Sequence, residues 1–305
     1  MSITVFGSVN LDLTVSVHHL PVAGETSHAA GFQTGLGGKG ANQAVAATRL
    51  ATCPVKFVAA VGEDSFADKL RADLQKMTVD ISNLVTMKGA ESGIALIHVD
   101  QSSQNSITVV GGANMAWPDE GPGADVFKGC KVALFQLETP IPATLAAMRA
   151  ARAAGAVVIL DPAPIAEGHM EVLIAEADIV TPNETETAAI TGTMPGSFLE
   201  AQTLAKSLVA MGPKVAIVKL GAKGLAYASR HDGEGVIEPY VVKAIDTVAA
   251  GDSFNGGLAA ALAEGRSLQD ALKFAAAAGA LATTRRGAGE TVLSRQEVDD
   301  LVAAN

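Results

Sequence analysis

Residues 131–160 read KVALFQLETPIPATLAAMRAARAAGAVVIL, and the order of the segments within them predicts the fold class. Its two apolar runs, 132–135 and 157–160, show no polar alternation, which is typical of strands buried on both faces. Between them, residues 145–154 have the periodicity and the residue types of a helix. A strand, a helix and a second strand in this order predict a β-α-β unit whose two strands lie parallel in one sheet.

The same rhythm extends along the chain in both directions. Continuous apolar runs recur at 55–60, 178–180 and 215–218, and residues 199–211 form another helical segment. We therefore predict an α/β fold in three layers, with a mostly parallel central sheet covered by helices on both faces. Because no repeat or low-complexity linker divides the chain, a single domain over residues 1–305 is expected.

Two stretches, about 13–33 and 93–110, break this rhythm. Their apolar residues alternate, as at Leu13, Val15 and Val17, which is the period of a half-exposed strand. We predict that the two stretches form a small separate β-sheet, placed as a lid beside the central one. Because one face of such a sheet stays exposed, it would also favour a homodimer.

The charge and the cysteines exclude several classes of function. The 305 residues carry a formal net charge of -10, which argues against a broad basic surface for nucleic acid or anionic lipid. No charge-free apolar run reaches the ~20 residues of a membrane span, and the first residues lack the pattern of a signal peptide. Cys53 and Cys130 lack zinc-site spacing and fit a reducing compartment. A cytoplasmic protein with neither nucleic-acid nor membrane partners is expected.

A glycine cluster, GLGGKGAN, lies at residues 35–42. It contains G-x-G-x-x-G, but a dinucleotide fingerprint should follow a buried first strand, and residues 29–34 are only weakly strand-like. No Walker A motif occurs in the chain. The glycines open the backbone to a ligand, and Lys39 and Asn42, three apart beside a predicted helix over 41–50, could hold hydroxyl or carbonyl oxygens. A glycine turn with a solvated lysine and a helix-capping asparagine would explain the same residues.

A second such stretch, IDTVAAGDSFNGG at residues 245–257, leads into an alanine-rich helix that ends near Ala263. The small residues before Asp252 expose backbone N–H groups at the helix start, where an anion binds favourably. Asp252 is thus our candidate for a catalytic base beside an anion hole. Helix N-capping, a common role of aspartate, stays open as the alternative.

Two further candidates follow buried strands, at the edge where open α/β sheets bind ligands. Asn183 and Glu186, spaced i and i+3, suit a magnesium ion held partly through water, and a capping box gives the same spacing. Residues 219–224, KLGAKG, follow the run 215–218. Their glycines would let a nucleotide lie against the backbone, although an ordinary turn has the same composition.

Taken in order, the four signals resemble those of the ribokinase family, the PfkB-type sugar and nucleoside kinases. Residues 37–43 (GGKGANQ) resemble the first signature of the family, and residues 246–252 (DTVAAGD) resemble the second. The resemblance runs from residues 7–12 to residues 285–288, nearly the whole chain. It implies a Rossmann-like central sheet with a β lid.

The resemblance also implies roles for individual residues. The implied sugar contacts are Asn10, Asp12, Gly38, Lys39, Asn42, Glu138 and Asp252. The implied ATP contacts are Asn183, Lys219, Leu220, Gly221, Ala222, Lys223, Gly224 and Gly251. Asp252 matches the catalytic base, the anion hole comprises Ala249, Ala250, Gly251 and Asp252, and Glu186 matches a position near magnesium and its waters. Potassium is implied beside the anion hole, at Asp246, Val248, Ala282, Arg285, Gly287 and Thr291.

The implied activity is transfer of the ATP γ-phosphoryl group to a primary sugar hydroxyl, with O5 of ribose as the leading expectation. Fructose, a deoxy-sugar, a sugar acid or a nucleoside are the alternatives. A nucleoside is disfavoured because the N-terminal half offers few aromatic side chains for stacking, chiefly Phe32 and Trp117. A non-catalytic sugar sensor of the same fold would be expected to lack Asp252 or its glycines.

Three positions depart from the family pattern. Lys219 stands where ribokinases often carry a small polar residue, Asp161 where asparagine is frequent, and Thr291 in place of a serine-like ligand. These departures leave the predicted chemistry intact, but they weaken the assignment of the sugar to ribose.

Overall fold

A computed structural model describes residues 1–102, 104–285, 287 and 294–305. In these ranges the strands are β1 (Ser2–Phe6), β2 (Asn10–Ser16), β3 (Gly31–Gly37), β4 (Val55–Val61), β5 (Leu84–Thr86), β6 (Gly93–Val99), β7 (Asn105–Val110), β8 (Cys130–Phe135), β9 (Val157–Leu160), β10 (Ile179–Val180), β11 (Val215–Lys219), β12 (Leu225–Ser229) and β13 (Gly233–Ile237). The helices are α1 (Lys39–Leu50), α2 (Ser65–Lys76), α3 (Ile141–Ala153), α4 (Met170–Glu176), α5 (Glu184–Thr191), α6 (Phe198–Ala210), α7 (Ala250–Glu264), α8 (Leu268–Ala282) and α9 (Arg295–Ala303).

The central sheet has nine strands in the order β13-β12-β11-β10-β9-β8-β1-β4-β5. The strands from β11 to β5 are parallel, and β12 and β13 add an antiparallel edge. One apolar core lies between the sheet and α1, α2, α7, α8 and α9, and a second lies between the sheet and α3, α4 and α6. The predicted three-layer, mostly parallel α/β fold is confirmed.

A separate four-stranded sheet, which we call the second sheet, has the order β3-β2-β6-β7. The alternating stretches predicted to form a small sheet supply its strands, but β3 continues to Gly37, past the expected end at residue 33. Glycine allows this extension, because a Cβ atom on Gly37 would lie 2.0 Å from Asp12 Oδ1. Residues that looked like an open turn are therefore the end of a strand, and α1 starts two residues later.

The second sheet exposes apolar side chains on its edge strand β7. Ile107 is 53% exposed and Val109 is 50% exposed. Their partners in β6 are Ile97 and Ala95, and Ala95 is also the partner of Asp12, so these side chains share one face of the sheet. Elsewhere, no helix in the described part of the chain has the length and hydropathy needed to cross a bilayer.

Candidate functional site

Asp252 lies at the start of α7, where its side chain is buried. Its carboxylate accepts a hydrogen bond from Asn42 Nδ2 at 3.1 Å and another from Gln43 Nε2 at 3.1 Å. Burial raises the pKa of Asp252, against the lowering effect of the Lys39 ammonium. The alternative of a helix cap is wrong, because the N-cap position belongs to Ala249, whose φ of 58° is left-handed.

The first backbone N–H groups of α7 have no preceding turn of the helix whose carbonyl groups could accept their hydrogen bonds. The first α-helical hydrogen bond runs from Ser253 N to Ala249 O at 2.8 Å, so the N–H groups of Gly251 and Asp252 precede it. Partial positive charge at a helix N-terminus favours an anion there. These N–H groups could bind an anion, and the anion hole over residues 249–252 stays a prediction.

Helix α1 places Lys39, Asn42 and Gln43 against α7. It begins after Gly38, whose φ is 90°, so Gly38 is the N-cap and Asn42 is not. Asn42 instead buries an amide whose Oδ1 has no hydrogen-bond partner among the described residues. Lys39 is not a solvated lysine either: burial opposes its charge, but the carboxylates of Asp252 and Asp161 help to hold its pKa above the ordinary value.

Some of the residues that are predicted to bind the sugar lie beside α1. Glu138 Oε2 accepts hydrogen bonds from Ser8 Oγ at 2.5 Å and from Lys39 N at 2.9 Å. Asn10 is 3% exposed, and its Oδ1 accepts a hydrogen bond from Asn114 Nδ2 at 2.8 Å.

Asp12 lies two residues after Asn10 on β2, so the two side chains share a face of the strand. Burial and, to a lesser extent, the nearby Glu138 carboxylate raise the pKa of Asp12 to about 7. Ser8 and Asn114, which hold Glu138 and Asn10, were not found from the sequence, because both act across more than 100 residues of chain.

Asn183 and Glu186 form the capping box of α5. Asn183 Oδ1 accepts from Glu186 N at 2.8 Å, and the Glu186 carboxylate accepts from Asn183 N at 2.7 Å. Burial raises the pKa of Glu186, and the Lys219 ammonium acts in the opposite direction. The spacing that suggested a magnesium ligand therefore has a structural role, and the magnesium role of Glu186 stays a prediction.

A cavity of about 490 Å³ opens at the carboxyl edge of β11 and runs along the start of α7. Five of the predicted nucleotide contacts line it: Lys219, Gly221, Ala222, Gly224 and Gly251. Gly224 has a φ of 95°, and a Cβ atom there would lie 2.3 Å from Ile237 O, so this position needs glycine.

Three other predicted contacts, Asn183, Leu220 and Lys223, do not line the cavity. Leu220 is 2% exposed, and Lys223 Nζ lies 3.5 Å from Gly196 O. The opposite wall comes from a loop that sequence analysis did not single out, with Tyr240, Val241 and Val242.

Asp161 contacts both Gln43, which also donates to Asp252, and Lys219, which lines the cavity. Sequence analysis named it only as a departure from the family pattern. It lies directly after β9 and is 3% exposed. Its carboxylate accepts a hydrogen bond from Gln43 Nε2 at 3.0 Å and pairs with Lys219 Nζ at 3.3 Å. The signal that could have found it is its position, a polar residue just past a buried strand, as at Asn183 and Lys219.

The segments predicted to hold potassium lie next to each other. Asp246 Oδ1 accepts from Val248 N at 3.0 Å, and Asp246 Oδ2 accepts from Gly287 N at 3.1 Å. Ala282 O accepts from Arg285 N at 3.4 Å, and the Arg285 guanidinium pairs with Glu297. Thr291, the remaining predicted ligand, falls outside the described residues.

Several known proteins are similar to this chain over nearly its whole length. The ribokinase of Haemophilus influenzae is 37% identical over 300 residues, which cover 97% of this chain and 96% of that protein. The deoxyribokinase of Salmonella typhimurium is 32% identical over 307 residues and covers both chains fully. A solved structure of Arabidopsis thaliana ribokinase, complexed with ribose and ATP, superposes with a TM-score of 0.91 at 33% identity, and 98% of each chain is covered. The model of the pfkB family of carbohydrate kinases matches residues 1–295, and the chain belongs to this family.

Proposed function

We propose that the protein is an ATP-dependent sugar kinase that phosphorylates the primary hydroxyl of D-ribose and forms ribose 5-phosphate. One observation carries the proposal. The buried carboxylate of Asp252 accepts hydrogen bonds from Asn42 and Gln43 of α1, and its chain neighbour Gly251 lines the cavity at the carboxyl edge of β11. The similarity to ribokinases over nearly the full length of the chain supports ribose as the sugar.

In the proposed reaction, Asp252 accepts the proton of the attacking hydroxyl while the γ-phosphoryl group is transferred in line. Positioning and electrostatic stabilisation supply most of the rate enhancement in such transfers. The N–H groups of residues 249–252 would stabilise the charge on the transferred group, and the buried Lys39 ammonium would add to it. The raised pKa of Asp252 suits a base that must take up a proton.

The acceptor pocket has polar groups ready for sugar hydroxyls. The buried Asn42 Oδ1 has no partner among the described residues, and a sugar hydroxyl would satisfy it. Asp12 and Asn10 share a face of β2, so that they could hold neighbouring hydroxyl groups. An acceptor with vicinal hydroxyls, such as a pentose, fits this arrangement.

Magnesium and a monovalent cation are part of the proposal. Glu186 lies close enough to Lys219 and Asp161 to interact with both, which suits a magnesium ion bound through water and offsetting the triphosphate charge. The carboxylate of Asp246 and the carbonyl groups of the neighbouring predicted residues are oxygen donors of the kind that potassium prefers. That ion would lend positive charge to the anion hole.

A second candidate is phosphorylation of deoxyribose, which the full-length match to a deoxyribokinase favours. Fructose, a sugar acid and a nucleoside stay as further alternatives on the same fold. A non-catalytic sugar sensor is disfavoured because Asp252 and the glycines around it are all present.

An ATP-consumption assay tests the proposal. Ribose, deoxyribose, fructose, a sugar acid and a nucleoside are compared at equal concentration with Mg²⁺, in potassium and again in sodium. We expect the highest kcat/KM with ribose and faster turnover in potassium. A preference for another acceptor would replace ribose in the proposal, and no turnover with any of them would favour the sensor.

We also propose that the chain works as a single kinase domain and forms a homodimer through the second sheet, which closes over the acceptor as a lid. The exposed apolar side chains of β7 support the homodimer. A cytoplasmic location is proposed with it, since both cysteines are free thiols.

A further inference from the structure

A buried ion pair crosses the carboxyl edge of the central sheet. Asp161 follows β9 and Lys219 ends β11, so the pair spans the end of β10, which lies between these strands. The Asp161 side chain is 4% exposed and the Lys219 side chain is 16% exposed. A desolvated pair of this kind is costly to form, and fold stability alone rarely requires one.

Each member of the pair also contacts a part of the proposed reaction site. Gln43 Nε2 carries two hydrogens and donates to Asp161 at 3.0 Å and to Asp252 at 3.1 Å. Gln136 Nε2 donates to Gln43 Oε1 at 2.6 Å, which fixes the direction of the Gln43 amide. Asp161 thus reaches Asp252 through one side chain of fixed orientation.

Lys219 extends the pair towards the cavity. It lines the cavity, and a Cβ atom on Gly251 would lie 3.4 Å from Lys219 Nζ. The ammonium therefore sits beside the first turn of α7, where the group transferred from ATP to the acceptor would pass. The start of α7 itself favours an anion. An ammonium beside it would therefore contact the terminal phosphate of ATP.

We propose that Asp161 is a positioning residue that serves both reactants at once. Through Gln43 it holds Asp252 towards the acceptor hydroxyl, and through its ion pair it holds the Lys219 ammonium against the γ-phosphate of ATP. The inference rests on the proposed kinase function. The Asp161 carboxylate then sets the distance between Asp252 and the ammonium that contacts the phosphate. Loss of this carboxylate slows the chemical step more than it weakens sugar binding.

The test uses Asp161→Asn, Lys219→Met and the double variant. The control is the ion pair of Lys214 and Asp178, at 2.9 Å, which lies at the opposite end of β10 and β11. Its Asp178 side chain is buried like that of Asp161, whereas Lys214 is exposed. The variants of this control pair are Asp178→Asn, Lys214→Met and their double. Removing one partner of a buried pair destabilises the fold, whereas removing both largely restores it, so the double variants separate activity from stability.

We expect the Asp161 and Lys219 double variant to regain most of the wild-type Tm and yet keep a kcat at least about tenfold below wild type, with the KM for ribose changed by less than about threefold. The control double variant should keep wild-type kcat. Recovery of kcat together with Tm in the Asp161 and Lys219 double variant would show that the pair only stabilises the fold, and the inference would be overturned.

The pH profile of kcat/KM gives a second readout. The charged or hydrogen-bonding groups that face Asp252 are Lys39, Asn42 and Gln43 from α1 and Asp161 from the end of β9. Removing the negative charge of Asp161 lowers the pKa of Asp252, so the acid limb of the profile should move to lower pH in Asp161→Asn. An acid limb that stays in place would contradict the link between these two carboxylates.

Calorimetric titration without sugar distinguishes failure of the inference from failure of the proposed function. We expect Lys219→Met to reduce the preference for ATP over ADP about tenfold, the scale of one charge-assisted hydrogen bond. An unchanged preference overturns the inference even if the wild type phosphorylates ribose. A wild type that turns over no sugar contradicts the proposed function, while a lost ATP preference in Lys219→Met would still support the contact with the γ-phosphate.

Discussion

At the scale of single residues, Asp252 shows how a buried carboxylate can stay reactive. Its two hydrogen bonds come from the amides of Asn42 and Gln43, and the charges of Lys39 and Asp161, which are of opposite sign, act on its pKa in opposite directions. Amide donors orient a carboxylate without neutralising it. Asp252 is therefore held in place and remains able to accept a proton.

Asp252→Ala should lower kcat by at least about a thousandfold, the scale of losing a catalytic group. ATP binding should remain measurable by calorimetry, because the cavity is lined by other residues. Asp270→Ala is a matched control, since Asp270 holds the same third position in the neighbouring helix α8 and should leave kcat unchanged. A variant of Asp252 that kept a tenth of the activity would refute its role as the base.

Asp12 should make stability depend on pH. Its pKa is about 7 in the folded protein and 3.8 as the ordinary value, so between these values the folded state holds an extra proton. The contribution of Asp12 to the free energy of unfolding should then fall as pH rises from about 4 to 7, by up to about 4 kcal/mol.

Asp12→Asn removes this dependence. We measure the free energy of unfolding of the variant minus that of wild type by urea denaturation. This difference should be more positive at pH 8 than at pH 5. The exposed Asp119, changed to Asn, provides the control, with a similar difference from wild type at both pH values. If the Asp12 variant also differs from wild type equally at both, the titration of Asp12 does not contribute to stability.

At the scale of elements, the contact between α1 and α7 sets the distance from Asn42 to Asp252. Gly256 lies one turn after Asp252, and a Cβ atom there would lie 2.6 Å from Ala46 Cβ and 2.8 Å from Ala47 N. The absence of a Cβ atom on Gly256 is what lets the two helices approach.

Gly256→Ala should push the helices apart, destabilise the fold by roughly 1–3 kcal/mol and lower kcat. Urea denaturation and steady-state kinetics measure the two effects. Gly196→Ala is the control, because the added methyl group would meet only the flexible Glu200 carboxylate, at 3.1 Å. Wild-type stability and kcat in the Gly256 variant would show that the helix contact tolerates expansion.

The elements were more predictable from the sequence than their contacts. Continuous apolar runs found the strands β4, β8, β9 and β11, because burial on both faces leaves a local pattern. The end of β3 was missed, since its glycines are explained only by the Asp12 side chain on the neighbouring strand.

The same distinction holds within the candidate site. Asp252 and Lys39 stand in recognisable glycine-rich stretches, whereas Asp161 acts through Gln43, 118 residues away. The wall formed by Tyr240 and its neighbours belongs to a loop without periodicity, and only the folded chain brings it to the cavity.

At the scale of the whole molecule, we expect a homodimer in solution with about twice the chain mass of 30.9 kDa. The double variant Ile107→Lys/Val109→Lys should be monomeric in light scattering, because two charges would have to be buried on the exposed face of β7. Val172→Lys, at an exposed apolar position on α4, should leave the mass unchanged. A wild-type monomer, or a dimeric double variant, would rule out association through this face.

The cavity wall and the acceptor side chains come from different parts of the chain. The residues that line the cavity fall between Lys219 and Thr283, whereas the predicted acceptor contacts other than Asp252 fall between Asn10 and Glu138. A single recombination event between Glu138 and Asn183 would therefore exchange the acceptor preference of two related genes and leave the nucleotide side intact. Such recombination would produce new sugar specificities, provided that α1 from one parent still packs against α7 from the other.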